Sequence, residues 1–410
     1  MAKKTTYDVV VYGATGFTGR LVAEYLAATY GIGQKSLKWA IAGRSEQKLK
    51  AVKIRLKAIT SEADALPVIV ADSSDRDSLR AMAEQTKVVC TTVGPFAKYG
   101  LPVVEACANA GAHYCDITGE ATFVAKAIEL YHALAESNSA RIVTCCGYDS
   151  IPSDLGCYLL QQTAIERFGK PCTTVQSFAG KVKGGFSGGT LASIETMMEQ
   201  AKADRSLWKV IGDPYSLNPA GAPRGEDGPD QRGVSYNKAI GQWTAPFLMA
   251  GINTRVVRRS NALLDFAYGE DFRFSESMAC GGGPKGAVRA AAVTAGLMGL
   301  LTVMMSKTGR KLAGRVFPDP GEGPNAELRE AGYFNHHLVG DGPGSVSVNV
   351  HGDKDPGYGS TSMMLAECAV SLAKDQAKLP KRFGILTPAS ALGQPLIDRL
   401  NEHGMSFTAT

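Results

Sequence analysis

The stretch Val9-Val10-Val11-Tyr12-Gly13-Ala14-Thr15-Gly16-Phe17-Thr18-Gly19 decides how the rest of the chain is read. Three valines and a tyrosine form a buried-strand pattern. Three glycines mark a tight turn, and a helical pattern follows with Leu21, Val22, Tyr25 and Leu26 on one face. In such a strand–turn–helix, Gly13 permits the sharp turn, Gly16 lets backbone N–H groups approach a pyrophosphate, and Gly19 packs the helix against the strand. Thr15, Phe17 and Thr18 complete the loop at the helix N-terminus, where unpaired N–H groups and the macrodipole favour negative charge. The bland alternative is a strand-to-helix turn with no ligand.

Short β-rich runs recur at Lys38–Ala42, Pro67–Ala71, Lys87–Val93, His113–Asp116 and Arg141–Cys145, with helical patterns between them. Strands alternating with helices predict an α/β fold, a Rossmann-type doubly wound parallel sheet. After Gly147 the texture changes. A helix is expected from near Asp154 to about Phe168, then a strand at Thr173–Ala179 and an Ala/Met-rich helix at Thr190–Val210. A Pro/Gly-rich loop follows at Asp213–Gly233, and alternating runs occur at Leu264, Phe266, Tyr268 and at Val346, Val348, Val350. These predict a second, α+β domain with a mostly antiparallel sheet. The expected division is a dinucleotide-binding domain over 1–150 and a substrate or oligomerisation domain over 151–357. The segment 358–410, with Thr387 capping a helix that starts at Pro388, is expected to pack back on the first domain.

The end of the second strand selects the dinucleotide. An acid there would grip the ribose hydroxyls of NAD, but Gly43-Arg44-Ser45 follows, with no acid until Glu46. Arg44 and Ser45 offer a guanidinium and a hydroxyl to a 2′-phosphate, so NADP(H) is inferred; the alternative is a solvated arginine before a helix capped by Ser45. Asp72 and Ser73 lie near the adenine or, equally, Asp72 caps the next helix. Gly94, Pro95 and Phe96 follow the fourth strand, at the edge where an open α/β sheet keeps its ligand crevice, and are expected to meet the nicotinamide ring.

Composition narrows the class. With 410 residues, 44% hydrophobic and 20% charged, the chain is not mainly disordered, and its 46 glycines have no collagen period. A net charge of +5, spread along the chain, demands no nucleic acid. Nine cysteines without a CxxC pair suggest neither a disulfide framework nor a zinc site, and point to a reducing cytoplasm. The run Tyr7–Val11 is too short for a signal peptide. His336 and His337 are adjacent in a predicted strand and face opposite sides, so they cannot share one metal, and no metal site is expected. Ala290–Met305 carries no charge, with Lys285 and Arg289 before it and Lys307, Arg310, Lys311 and Arg315 after it. About 24 Å of helix is short of the ~30 Å hydrocarbon core. The run therefore reads as a peripheral membrane contact, or else as a buried core or homodimer-interface helix.

Taken in order, several blocks resemble the saccharopine dehydrogenase-like oxidoreductases, and within them the bacterial trans-acting enoyl reductases. They are GATGFTG from Gly13, AGRS from Ala42, TVGPF from Thr92 with the following YG, HYCDITGE (His113–Glu120) and GYDSIPSDLG (Gly147–Gly156). Later blocks are SGGT (Ser187–Thr190), PGEGP (Pro320–Pro324), DPGYGSTSMMLAE (Asp355–Glu367) and GILTPASALG (Gly384–Gly393). The resemblance implies an NADPH-dependent oxidoreductase that reduces the α,β double bond of an acyl chain in lipid or polyketide biosynthesis, on a substrate held by a carrier protein or synthase. It does not imply saccharopine as substrate: Arg224, Arg232, Arg255, Arg258 and Arg259 are scattered rather than paired to clamp carboxylates. A saccharopine-type imine or amino-acid reductase, and a non-catalytic NADP-binding protein of lipid surfaces, are the alternatives.

For an enoyl thioester, hydride goes to the β carbon, charge builds on the thioester oxygen and a proton reaches the α carbon. A donor and a proton source are therefore needed. Tyr99, Tyr148 and Asp116, at predicted strand ends, are the catalytic candidates; a tyrosine, with an ordinary pKa of about 10, is a neutral donor at pH 7. Each has a structural alternative: Tyr99 packing over its turn, Tyr148 as a core aromatic, Asp116 capping the helix near Glu120. His113 reads as structural, and Cys145-Cys146 as strand packing.

Overall fold

The computed structural model describes residues 5–33, 36–184, 196, 199, 202, 204–205, 207–306, 309 and 323–410. Val9, Val10 and Val11 are wholly buried on both faces of β1 (Tyr7–Tyr12), as a central parallel strand requires. From it the chain alternates through α1 (Phe17–Tyr30), β2 (Trp39–Gly43), α2 (Glu46–Leu56), β3 (Val68–Val70), α3 (Arg76–Glu84) and β4 (Thr86–Thr91). It continues through α4 (Phe96–Ala110), β5 (His113–Cys115), α5 (Ala121–Ser137) and β6 (Arg141–Val143).

The second region holds α6 (Ile151–Phe168), β7 (Thr174–Lys183), α7 (Leu207–Gly212), β8 (Ser235–Asn237), β9 (Gln242–Ala245), α8 (Ala250–Leu263) and β10 (Arg273–Ala279). Next come α9 (Gly283–Met305), α10 (Ala326–Glu330), β11 (Tyr333–Asp341) and β12 (Val346–Gly352). The tail forms α11 (Thr361–Lys374), β13 (Gly384–Leu386), α12 (Pro388–Ala391), α13 (Gly393–Glu402) and β14 (Met405–Ala409).

One seven-stranded sheet runs β13-β6-β5-β4-β1-β2-β3 and is parallel throughout. The other runs β14-β12-β11-β7-β10-β9-β8 and is antiparallel except between β7 and β10. The tail serves both sheets, since β13 pairs with β6 and β14 with β12. All of α11 but Lys374 is buried, and it packs on α1, β1, β4 and β5. Its Glu367 accepts from Tyr25 and Tyr30 on α1 at 2.7 Å and from Arg399 on α13 at 3.2 Å, so the carboxyl oxygens keep partners where water is excluded. Thr387 caps α12 through a capping box.

One expected strand is absent. Leu264–Tyr268 is not extended: α8 ends at Leu263, and Asp265 and Phe266 turn at φ 57° before β10 starts at Arg273. Their apolar alternation comes from a turn that buries Tyr268 beside Phe272, not from a pleat. Asp72 does not cap α3; Asp75 does, accepting from the N–H groups of Asp77 and Ser78. Most of the expected helix Thr190–Val210, the SGGT block and most of PGEGP lie outside the described residues.

A close backbone approach follows β1. A Cβ on Gly19 would lie 2.2 Å from the Gly13 carbonyl oxygen and 2.7 Å from Thr92 Oγ1. Gly19→Ala should therefore lever α1 off the strand and cost about 1–3 kcal/mol in denaturant unfolding. An unchanged unfolding midpoint would show that α1 has more room than these distances allow.

Candidate active site

Gly13 turns at φ +90°, and a Cβ there would come within 2.7 Å of Val93 Cγ2. Gly16 differs: among the described residues a Cβ would meet nothing nearer than the Gly13 oxygen at 3.4 Å. No side chain caps α1 and no acid lies in its first turn. Its first N–H groups, beside exposed Thr15 and half-buried Thr18, are suited to phosphate oxygens. The Phe17 ring turns elsewhere. It stands edge-on to Tyr358 at 4.8 Å, with the Arg20 and Arg329 guanidinium carbons 5.2 and 5.6 Å from its centroid, leaving only its backbone for the cradle.

Arg44 is exposed at the end of β2 and makes no salt bridge among the described residues. Ser45 caps α2 by accepting from Lys48 N–H at 3.4 Å, which leaves its own hydroxyl proton to give. Ser73, Asp72 and Arg44 surround the Tyr12 hydroxyl, whose pKa burial pushes up to about 12. Asp72 Oδ1 accepts from Ser74 N–H at 2.9 Å and from its hydroxyl at 2.7 Å. After β4, Gly94 is exposed and Pro95 half-buried, while Phe96 packs inward 5.8 Å from Phe123. The Phe96 and Ala97 N–H groups donate to Glu120 at 3.0 and 2.7 Å, so the N-terminus of α4 already holds a carboxylate.

The catalytic candidates separate. Asp116 has no exposed surface and accepts from the Tyr114 hydroxyl at 2.7 Å and from Thr118 and Cys145 N–H at 3.0 Å, which makes it a brace for the strand ends. Burial pushes its pKa up to about 7. Tyr99 lies half-buried in α4 beneath Lys98, whose Nζ is 5.3 Å from the ring centroid. Tyr148, just past β6, reaches across to the second sheet, where its hydroxyl is 3.1 Å from His336 Nε2 and its ring 4.9 Å from Phe334. Burial, and the nearby Glu276 and Asp149 carboxyls, raise its pKa well above 10. His113 is structural, its Nδ1 accepting from Arg141 N–H at 3.0 Å. All nine cysteines are buried, and none forms a disulfide.

Residues 9–143 match the family described as the saccharopine dehydrogenase NADP binding domain. A Mycobacterium tuberculosis protein provisionally named a trans-acting enoyl reductase is 42% identical over 98% of this chain and 97% of its own. The trans-acting enoyl reductases of Mycobacterium ulcerans and Mycobacterium bovis are 37% and 39% identical, over 98% of each chain. The chain belongs to the trans-acting enoyl reductase family, a branch of the saccharopine dehydrogenase-like oxidoreductases. Saccharopine dehydrogenase (L-Glu forming) of Saccharomyces cerevisiae has the same fold, with a TM-score of 0.55 at 12% identity, covering 98% of this chain and 99% of that one.

In this trans-acting enoyl reductase family member the cofactor is NADP(H), and the open Gly16 backbone, uncapped α1 and unpaired Arg44 fit its phosphates. Sequence reasoning missed several groups around Tyr148. Asp149 is half-buried, its pKa raised by burial to about 6, with Oδ2 3.4 Å from where a Gly119 Cβ would stand. Tyr358 buries a hydroxyl that has no hydrogen-bond partner among the described residues. His336 and Glu276 stand behind Tyr148. The available signal was position, because Asp149 adjoins Tyr148 in the Gly147–Gly156 block and Tyr358 lies in the Asp355–Glu367 block. Arg44→Ala should weaken NADPH binding by roughly 1.5–3 kcal/mol, the scale of a charge-assisted hydrogen bond, and barely change NADH binding. Titrations giving equal losses for both would remove Arg44 from the 2′-phosphate.

Proposed function

We propose that this protein is an NADPH-dependent enoyl reductase that takes its α,β-unsaturated acyl chain from a carrier protein or synthase, with Tyr148 as the donor to the reacting thioester. The observation that carries this reading is the placement of Tyr148. It leaves the carboxyl edge of the parallel sheet, where the cofactor cradle opens, and its hydroxyl is held by His336 of the second sheet. The division into an NADP-binding part over 1–150 with 358–410, and an acyl-binding part over 151–357, is part of the reading. The β13–β6 pairing supports it, whereas β14 adds to the other sheet.

When bound, NADPH supplies the hydride to the β carbon. The chain's own task is to meet the charge that grows on the thioester oxygen and to protonate the α carbon. Tyr148 suits the first task because its raised pKa keeps the phenol protonated. Asp149, beside it and with a pKa near 6, is a second acid in reach of the same opening. The cradle contacts in this reading are Gly13, Thr15, Gly16, Thr18 and the Phe17 backbone for the phosphates, Arg44 and Ser45 for the 2′-phosphate, Asp72 and Ser73 for the adenosine end, and Gly94 and Pro95 for the nicotinamide.

The arginines weigh against a multi-carboxylate amino-acid substrate. Arg224 pairs with Asp213 at 2.6 Å, Arg255 with Asp230 at 3.0 Å and Arg258 with Asp227 at 2.5 Å, while buried Arg259 donates to the Leu217 and Ile385 carbonyls. None of these four is left to clamp a substrate. Purified protein should oxidise NADPH with a medium or long enoyl thioester, faster when the acyl chain is carrier-bound, because remote contacts orient it. Tyr148→Phe should lower kcat by about 10²-fold with NADPH affinity unchanged. Turnover of an imine or α-keto acid in place of any enoyl thioester would transfer the protein to the other reductase class.

The helix α9 supports a membrane contact within the same reading. It is the one described helix long and apolar enough to cross a membrane, yet only 11% of its apolar window is buried, with Val288, Met298 and Val303 exposed. A core helix would not look like this. From Ser277 to Pro318 the sequence has Lys285, Arg289, Lys307, Arg310, Lys311 and Arg315 and no acid, which favours an anionic bilayer surface over a second copy of the same basic face. The protein should co-sediment with anionic vesicles in a salt-sensitive way, and Met298→Glu, at an exposed site, should release it with its melting temperature unchanged. Equal sedimentation of both proteins would show that α9 does not meet lipid.

A further inference from the structure

Behind Tyr148 lies a buried polar chain that donor chemistry alone does not require. His336 Nε2 is 3.1 Å from the Tyr148 hydroxyl, and its Nδ1 is 4.0 Å from Glu276 Oε1 with no hydrogen-bond partner among the described residues. Neither the His336 nor the Glu276 side chain has any exposed surface. Glu276 is faced by Ser153 from α6, by Ser177 from β7 at 3.2 Å, by Asn253 from α8 at 2.8 Å and by His336 from β11. These neighbours are neutral donors. Further charges around it are Asp230, already paired with Arg255, the Arg258–Asp227 pair that lines the same cleft, and Asp149 beyond Tyr148. No cation among the described residues is paired with the carboxylate, burial lifts its pKa to about 7, and burial lowers that of His336 to about 3. At neutral pH the contact is therefore a neutral imidazole beside a carboxyl poised between its two states, not an ion pair.

The geometry points to Glu276 as a switch that sets the tautomer of His336 and, through it, the direction of the Tyr148 hydroxyl, making both positioning residues for the donor. When Glu276 is protonated, its O–H faces Nδ1, the ring carries its proton on Nε2, and Nε2–H donates to the phenol oxygen. The Tyr148 proton is then free to point at the thioester. When Glu276 is ionised, it draws the ring proton to Nδ1, and bare Nε2 accepts the Tyr148 proton and turns it away. A cleft lined by Asp227, Asp230, Arg258 and Glu276 opens beside this residue and is the nearest route for a proton, although the carboxyl itself has no exposed surface. This inference rests on Tyr148 being the donor.

The test is the pH profile of kcat with a saturating enoyl thioester. The parent should lose about tenfold or more between pH 6 and 8.5, with a midpoint near 7. Glu276→Gln, whose amide N–H can face Nδ1 at every pH, should change less than about twofold over that range, with the melting temperature and NADPH affinity kept. A Gln variant that retains the alkaline fall, or a parent without one, overturns the proposal. Nitrogen NMR of the His336 ring in the parent needs no substrate and decides the matter should the variant not fold or no acceptor be reduced. An Nε2–H tautomer giving way to Nδ1–H as pH rises through about 7 upholds the switch; a single tautomer throughout overturns it. Unchanged turnover in Tyr148→Phe defeats the donor assignment instead and leaves the tautomer result standing.

Discussion

Everything at the cofactor end depends on how near α1 can come to the end of β1. Two glycines let the helix backbone lie almost on the Gly13 carbonyl, with Thr92 of the neighbouring turn wedged against both. That proximity aims the uncapped first turn of α1 over the strand ends, and the N–H groups there hold a fixed direction without any side chain to fix them. The third glycine, Gly16, has no steric reason among the described residues to lack a side chain. A residue small without internal cause is what a surface built for close approach requires.

The second half of the site is assembled by buried carboxyls, each with a full set of partners. Glu367 is held by two phenols and a guanidinium, and it joins α1, α11 and α13. Asp154 on α6 accepts from Ser260 on α8 at 2.5 Å and from Ala389 N–H on α12 at 2.8 Å, with its pKa pushed up to about 7 by burial. Asp116 braces the β5 and β6 ends. Buried polar groups with all their partners give one geometry and resist sliding, because a small displacement leaves a donor or acceptor unpaired. The strand and helix ends are thereby held in register, while the Tyr358 hydroxyl stays without a hydrogen-bond partner among the described residues.

The parallel sheet was legible because its signal is local: strand runs, helix periods and turn glycines each lie within a few residues, and ligand residues fall at strand ends. Arg44 and Tyr148 were singled out by that rule, and both lie just past strand ends. The Glu276–His336 pair was not, since its members lie on strands far apart in sequence and meet only through the sheet order. A trace of it was present, for His336 alternates with Phe334 and Leu338, and Glu276 with Phe274, on faces that prove buried. A charged or titratable residue in an apolar register was the available clue. Leu264–Tyr268 misled for the opposite reason, as two consecutive left-handed residues imitate a two-residue period without any strand.

Because α11 and β13 come from the last part of the chain, the order of synthesis and the order of assembly are at odds. While the ribosome is still adding the second sheet, β1, β4 and β5 have no helix over one face, and apolar groups such as Cys90 and Cys115 wait uncovered. Closure comes only with residues beyond 360, after a separation of several hundred residues, which makes it a slow, non-local step. Until then α1 lacks the partner that holds Tyr25 and Tyr30 in place. A dinucleotide that binds only the closed cradle adds its binding free energy to that assembled state.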